Sequence, residues 1–244
     1  MKAVILAGGL GTRLRPFTEV IPKPLLPLGE GSLMGVQIQA LKEHGFDTIF
    51  VATNYMSDYV EAFLGDGSKY GVKLRFSKEE KPLGTCGPLT LLKNELTEPF
   101  ILMNGDILTK LNFKAFFDFA TGADSVLTVA TKIIITPFGF GKVTVDESDH
   151  IMFIEEKPNL KFEVLAGIYC MKPEILSFIP DNTLFDIDAL IKTLLKDKQK
   201  VSRYQIHEYW LDIGQVEDYS KAREAYNEHF KGDVGCEIVR QDTY

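Results

Sequence analysis

The chain has 244 residues, 45% of them hydrophobic and 25% charged, with a formal net charge of −7; this is enough to bury one substantial core. That balance, with no long Lys/Arg run, excludes nucleic acid and an anionic membrane surface as expected partners and points to a small ligand. No apolar run reaches membrane-spanning length, no signal pattern precedes the first apolar segment, and Cys86, Cys170 and Cys236 are spaced like free thiols rather than zinc ligands, so a cytoplasmic location is expected.

Ala3 to Leu6 is a short apolar run of the kind that forms a buried parallel strand. It breaks through Ala7 into Gly8, Gly9 and Gly11, followed by Thr12, Arg13, Arg15 and Lys23. Three glycines allow a backbone to approach a polyphosphate and turn its N–H groups toward the oxygens, while the basic residues supply charge and bidentate donors. A Walker loop fails here because Thr12-Arg13 follows Gly11 where Gly-Lys-Ser/Thr is required. A Rossmann fingerprint fails because Leu14 stands at the third glycine and Thr53-Asn54 closes the second strand without an acid.

Further along, Leu33, Met34, Val36, Ile38 and Leu41 lie on one side of a helix that ends at His44-Gly45, with glycine as its C-cap. Thr48 to Thr53 reads as a strand, Val60 and Phe63 sit in a short helix, Lys73 to Ser77 alternates as a strand, Gly87 to Leu96 reads as helical, and Phe100 to Met103 is an apolar strand. This alternation predicts a doubly wound, mostly parallel α/β sheet, with chemistry in the loops after Leu6, Ser77 and Met103. From Ser125 the texture becomes mixed: strands at 125–131, 141–145, 151–154 and 164–171, helices at 173–178 and 187–195, strands at 201–205 and 209–213, and a last helix over 216–230. Residues 1–230 are expected to form one catalytic domain with a nucleotide half and a sugar half, followed by a short polar tail at 231–244.

The pattern GGxGTRLxPxT, followed by Pro-Lys-Pro at Pro22 to Pro24, resembles the sugar-1-phosphate nucleotidyltransferases, the nucleotide-sugar pyrophosphorylases. The resemblance covers residues 1 to about 230 and implies the Rossmann-like nucleotide-diphospho-sugar transferase fold. It places the nucleotide on Leu6, Ala7, Gly8, Gly9, Gly11 and Thr12, with Asn104 and Gly105 alongside. It also implies that the loop holding Glu79, Pro82, Gly84 and Thr85 covers the nucleobase, with Glu79 at the position that reads the base edge. Relatives using uridine or thymidine nucleotides commonly carry glutamine there. A carboxylate only accepts, and guanine offers two adjacent donors, so Glu79 favours GTP, and the segment Glu79 to Leu89 is closest to the mannose-1-phosphate guanylyltransferase branch.

Asn104-Gly105-Asp106, just past an apolar strand, and Trp210-Leu211-Asp212 resemble the two metal segments of the family, implying that Asp106 and Asp212 hold Mg²⁺. The sugar is implied to lie against Gly141, Glu156, Ala166, Gly167 and Trp210, with Lys157 on its phosphate. Ser32-Leu33-Met34 and Leu165 depart from the usual family residues near the substrate, and mannose, a heptose, glucose and an amino sugar all stay open. In the expected reaction a sugar 1-phosphate oxygen attacks the α-phosphorus of the nucleoside triphosphate in line and displaces pyrophosphate. Arg13 is assigned to the leaving phosphates, Lys23 to the α-phosphate and Lys157 to the nucleophile. A uridylyl- or thymidylyltransferase is the alternative. A non-catalytic nucleotide-sugar-binding homologue is a third reading, against which the chain keeps Gly11, Arg13, Lys23, Asp106, Lys157 and Asp212. The resemblance also implies a homo-oligomer.

Overall fold

The computed structural model describes residues 1–231; residues 232–244, which hold Cys236 and nearly all of the expected tail, lie outside the described residues. β1 (Lys2–Ala7) is followed by the glycine-rich segment, which is irregular chain, by three one-turn helices of which the last begins at Lys23, and then by the two-residue strands β2 (Pro27–Leu28) and β3 (Gly31–Ser32). Ser32 closes β3 and caps α1 (Leu33–Glu43), its hydroxyl accepting the Gly35 N–H at 3.1 Å. The helix stops where expected: Gly45 takes φ +85, and Phe46 N–H returns to the Leu41 carbonyl at 3.0 Å.

β4 (Thr48–Thr53), α2 (Ser57–Leu64), β5 (Lys73–Lys78), β6 (Phe100–Asn104) and β7 (Ile107–Thr109) continue the chain. The stretch expected to be helical from Gly87 to Leu96 is instead a short 3-10 segment, Gly87–Leu92. Its first N–H groups, which no helix satisfies internally, are taken up from the second half of the chain: Cys86 and Gly87 donate to the Phe185 carbonyl, at 2.9 and 3.1 Å. A helix not anticipated, α3 (Phe113–Gly122), follows, capped by Asn112, whose side chain accepts the Ala115 N–H.

The second half contains β8 (Leu127–Pro137), β9 (Lys142–Val145), β10 (Ile151–Glu155), β11 (Asn159–Met171), α4 (Ile187–Lys196), β12 (Val201–Gln205), β13 (Trp210–Asp212) and α5 (Val216–Ala225), which runs on into a wider turn to Phe230. β8 and β11 are longer than the sequence pattern indicates, because each continues past the body of the sheet as a two-stranded ribbon.

The main sheet has the order β12-β8-β11-β6-β1-β4-β5. β6, β1, β4 and β5 are mutually parallel, and β11 runs antiparallel to both of its neighbours. Alternation along the central strands sorts the core. Ala3, Ile5, Ile49, Val51, Ile101 and Met103 pack with the apolar sides of α1, α2 and α3 on one face. Val4, Phe50, Ala52, Phe100 and Leu102 pack with Leu89, Leu92 and α4 on the other. The chain moves outward from β1 through β4 to β5 and then returns to β6 on the far side of β1, so the crevice beyond the ends of β1 and β6 is the ligand site such a topology provides. A third apolar cluster joins α5 to the segment after β1: Leu14, Leu26 and Leu28 pack with Tyr219, Ala222, Tyr226 and Phe230, and the Tyr219 hydroxyl donates to the Pro27 carbonyl at 2.6 Å.

Candidate active site

A cleft of about 420 Å³ opens at that crevice, within the range of small-molecule sites. Its walls bring together Leu6, Ala7, Gly8, Gly9, Gly11, Thr12, Arg13, Lys23, Glu79, Pro82, Gly84, Thr85, Asn104, Gly105 and Asp106. The three loops singled out in the sequence thus converge on one space.

The β6–β7 turn is held from beneath. Gln37, buried on α1, donates its amide to the Asn104 and Ile107 carbonyls at 3.1 and 2.8 Å, and Gly105 N–H donates to the Leu6 carbonyl at 2.9 Å. A Cβ at Gly105 would lie 2.3 Å from that same carbonyl oxygen, so only glycine lets β1 and this turn come so close. Asp106 is thereby fixed in the cleft. Its Oδ2 accepts from Lys23 Nζ at 2.6 Å, and its Oδ1 is buried without a partner.

Asp212 reaches the same place through pairing of β13 with β7, where it lies opposite Ile107 and Ile213 N–H donates to the Asp106 carbonyl at 2.9 Å. The Asp212 side chain is open to solvent, yet protein around the cleft raises its pKa above the usual aspartate range, first by burial and then by the Asp106 charge, while Lys23 and Arg13 pull it down. Among the described residues no group of three His, Cys, Asp or Glu gathers as a metal cage. Magnesium does not need one, since it takes one or two carboxylates and keeps waters and phosphate oxygens. The orphaned Asp106 Oδ1 beside a second acid fits such a cation.

At the other end, Glu79 is 7% exposed. Its Oε2 accepts the Leu83 N–H at 2.9 Å, and a Cβ built on Gly8 would meet its Oε1 at 2.9 Å. The loop that the carboxylate belongs to thus already draws on one of its two oxygens. Burial raises its pKa, and the Leu83 N–H partly offsets this.

Asp186 and Leu184 also line the cleft, and sequence reasoning did not find them. Asp186 stands at the N-cap of α4 but turns its side chain away, Oδ1 accepting the Thr85 N–H at 3.0 Å; the Thr85 hydroxyl in exchange accepts the first helical N–H, from Ile187, at 2.7 Å. Gly84, at φ +78, sits so near that a Cβ would come within 2.5 Å of Asp186 Oδ1. An acid before an apolar helical stretch was a legible cap signal, but its true partner lies a hundred residues away.

The sugar-side residues divide. Ala166 and Gly167 form a bulge in β11, at φ +70 for Gly167, that abuts the Asn104 side chain, and Trp210 Nε1 donates to the Ala166 carbonyl at 2.8 Å. Gly141, Glu156 and Lys157 lie instead on the exposed ribbon and hairpin, outside the cleft walls. Lys157 and Glu156 are 4.0 Å apart, with side chains 69% and 74% exposed. Cys86 and Cys170 are buried and their thiols are pushed up to about 12 by burial, which makes them packing groups rather than nucleophiles.

The family model described as Nucleotidyl transferase matches residues 2–229. Among curated proteins, the chain is 34% identical over 227 residues to a probable mannose-1-phosphate guanylyltransferase 1 of Oryza sativa, 33% identical to the mannose-1-phosphate guanyltransferase of Saccharomyces cerevisiae, and 30% identical over 241 residues to a UTP–glucose-1-phosphate uridylyltransferase of Synechocystis. These alignments take in 90–91% of this chain and 62–63% of each relative, so the chain spans less than two thirds of their length. Among solved structures, HddC from Yersinia pseudotuberculosis, also solved in complex with GMP-PN, is 28% identical with a TM-score of 0.72, the match covering 92% of this chain and 99% of that one. A Bacillus anthracis structure, assigned provisionally as a glucose-1-phosphate thymidylyltransferase and solved with sucrose, is 26% identical with a TM-score of 0.75, over 92% and 94% of the two chains.

Proposed function

The chain belongs to the nucleotidyl transferase family, and from that premise we propose that it transfers a nucleoside monophosphate, GMP from GTP, to a sugar 1-phosphate, releasing pyrophosphate. The observation that carries this reading is the convergence of Gly8, Gly9, Gly11, Arg13, Lys23 and Asp106 in one cleft whose far end holds the buried acid Glu79. Phosphate chemistry has its place at one end and base recognition at the other.

The attacking sugar phosphate is already an anion, so the protein's task is to align two anions and offset their repulsion. Arg13 stabilises negative charge on the departing phosphates. Lys23 contacts the α-phosphate, which requires it to leave Asp106 or to share its ammonium protons between the two, and three donors make sharing feasible. Lys157 guides the nucleophile from the ribbon. Asp106 and Asp212 would hold Mg²⁺, which when bound neutralises phosphate charge.

Guanine is favoured because Glu79 can accept from the ring N–H and the exocyclic amine through Oε1 and the remaining lone pair of Oε2. A uracil or thymine carbonyl facing it would leave the carboxylate unpaired. The guanylyltransferase relatives and the GMP-PN complex of HddC support this choice of base. The second reading, a uridylyl- or thymidylyltransferase, is supported by the Synechocystis relative and by the Leu83 N–H, which already takes one lone pair of Glu79 Oε2. Pyrophosphate release from each of the four ribonucleoside triphosphates and dTTP, with mannose, glucose, heptose and amino-sugar 1-phosphates, decides between them. GTP turnover well above UTP and dTTP is the expected outcome; a preference for either pyrimidine replaces the first reading with the second, and no turnover with any pair removes both.

A further inference from the structure

Residues 83–87, the far half of the loop implied to cover the base, are zipped to residues 183–187 from the second half of the chain. The Leu83 carbonyl accepts the Phe185 N–H at 2.9 Å, and the Phe185 carbonyl accepts in turn from Cys86 and Gly87. Asp186 Oδ1 accepts the Thr85 N–H at 3.0 Å and the Thr85 hydroxyl at 3.4 Å, while that hydroxyl accepts the Ile187 N–H at 2.7 Å. Asp186 makes no side-chain cap to α4. A hydroxyl from another segment caps the helix, which leaves the carboxylate to hold the loop.

The α4 side of this zip is firmly packed. Ile187, Leu190 and Leu194 are buried in one apolar cluster with Cys86, Leu89 and Leu92, just past the loop. The near half of the loop is not: Glu80, Lys81 and Pro82 are exposed, between Glu79, whose N–H donates to the Thr53 carbonyl at 2.9 Å, and Leu83, which is 1% exposed. Leu83 is the point where the zip meets the carboxylate. Phe185 holds its carbonyl, and its N–H donates to Glu79 Oε2 at 2.9 Å, while Gly8 crowds Oε1 from the other side. A glutamate side chain has many rotamers, so the direction of this carboxylate depends on where Leu83 is held.

We propose that Asp186 and Thr85 are positioning residues for base selection: they fix the Leu83 N–H that aims the Glu79 carboxylate at the edge of the base. The inference rests on Glu79 as the group that reads the base. Its effect passes through Glu79, so Asp186 and Thr85 control the ratio between nucleotides rather than nucleotide binding in general. A side chain that only supports the fold changes the affinity for every nucleotide alike, because the parts common to all of them, phosphates and ribose, are affected together. A misdirected carboxylate instead loses the bonds that tell one base from another.

The test is the ratio of dissociation constants for GTP and UTP, measured by calorimetry on the full chain in magnesium buffer without sugar phosphate. Asp186→Ala should shrink the wild-type ratio by roughly three- to tenfold, and Asp186→Asn, which keeps an acceptor for the Thr85 N–H, should stay within about twofold of wild type. Thr85→Val breaks the exchange from its other side and decides the matter if Asp186→Ala folds poorly; Thr85→Ser should restore the ratio. Phe116→Ala, a core substitution on α3, should lower stability and leave the ratio unchanged. Added to Glu79→Gln, Asp186→Ala should change the ratio by less than about twofold, since the group through which it acts is already altered. A wild-type ratio in both Asp186→Ala and Thr85→Val overturns the proposal, as does an undiminished effect of Asp186→Ala in the Glu79→Gln background. A wild type that prefers UTP refutes the guanine reading instead, and the proposal then holds only if Asp186→Ala shrinks that opposite preference; a wild type with no preference removes both.

Discussion

The cleft and the ribbon are built on opposite plans. In the cleft, Asp106 and Asp186 accept bonds at 2.6 and 3.0 Å from distant parts of the chain, Glu79 accepts one at 2.9 Å from its own loop, and the turn that carries Asp106 is clamped by Gln37. On the ribbon, Lys157 and Glu156 are mostly exposed, and their mutual pair at 4.0 Å is the kind that contributes little in water. The difference teaches where preorganisation matters. Stabilising a charge that develops at phosphate oxygens is effective only if the donors are already aimed, whereas a side chain proposed to meet the sugar phosphate can be brought into place as substrate arrives.

The strongest attack on the preorganised side is Asp106→Asn or Asp212→Asn. Each should lower kcat by about three orders of magnitude or more with an unchanged fold, and steady-state turnover across a magnesium titration checks it. Near-normal activity in either would remove the metal assignment. Arg13→Ala comes next, with kcat down by roughly 10²–10³ and little change in KM for the sugar phosphate. Lys157→Ala sharpens the comparison: as the ribbon residue proposed to meet the incoming substrate, it should also raise that KM strongly. Equal effects of the two variants on the KM for nucleotide alone would erase the distinction between the regions.

Glu79→Gln should narrow the preference for GTP over UTP by roughly 2 kcal/mol, about thirtyfold, since the amide restores a donor that a carbonyl can use. The pH dependence has a definite sign. Burial raises the Glu79 pKa in the free protein and guanine donors favour the ionised form, so KM for GTP should fall as pH rises through that raised value and then level off. The Gln variant should lose this dependence, and a persisting one would assign it to another group.

Smaller still, Asp186→Ala frees the Thr85 N–H and should weaken nucleotide KM several-fold and cost about 1 kcal/mol of stability. The smallest effect is on the ribbon itself, where Phe153→Ser should change the stability of dilute protein by less than about 0.5 kcal/mol. Phe116→Ala, fully buried on α3, should by contrast cost about 3–5 kcal/mol in a urea titration.

The parallel half of the sheet was legible in the sequence because apolar runs such as Ala3 to Leu6 and Phe100 to Met103, separated by capped helices, have a local physical cause. The glycines and basic residues after β1 were legible for the same reason, as a local pattern of the kind that can receive phosphate, and the structure places them on one cleft. α3 escaped because Phe113, Phe116, Phe117 and Phe119 blur a helical stripe, the first two buried, Phe117 partly buried and Phe119 47% exposed, and only packing against Phe46 and Tyr204 sorts them. The exposure of the ribbon escaped too, since alternating Ile and Phe residues have the same pattern whether a sheet face is covered or bare.

What the sequence by itself determined is the set of loops and the kinds of side chain they carry, properties that depend on neighbours a few residues apart. What only the tertiary structure decided is which of those side chains meet. Asp212 reaches Asp106 through β13 pairing with β7, Asp186 trades caps with Thr85, and Leu83 takes one oxygen of Glu79. Lys157 is left on the ribbon, outside the cleft walls. The contacts of Asp212 and Asp186 span about a hundred residues, and their existence depends on strand order and helix docking, which no local pattern encodes.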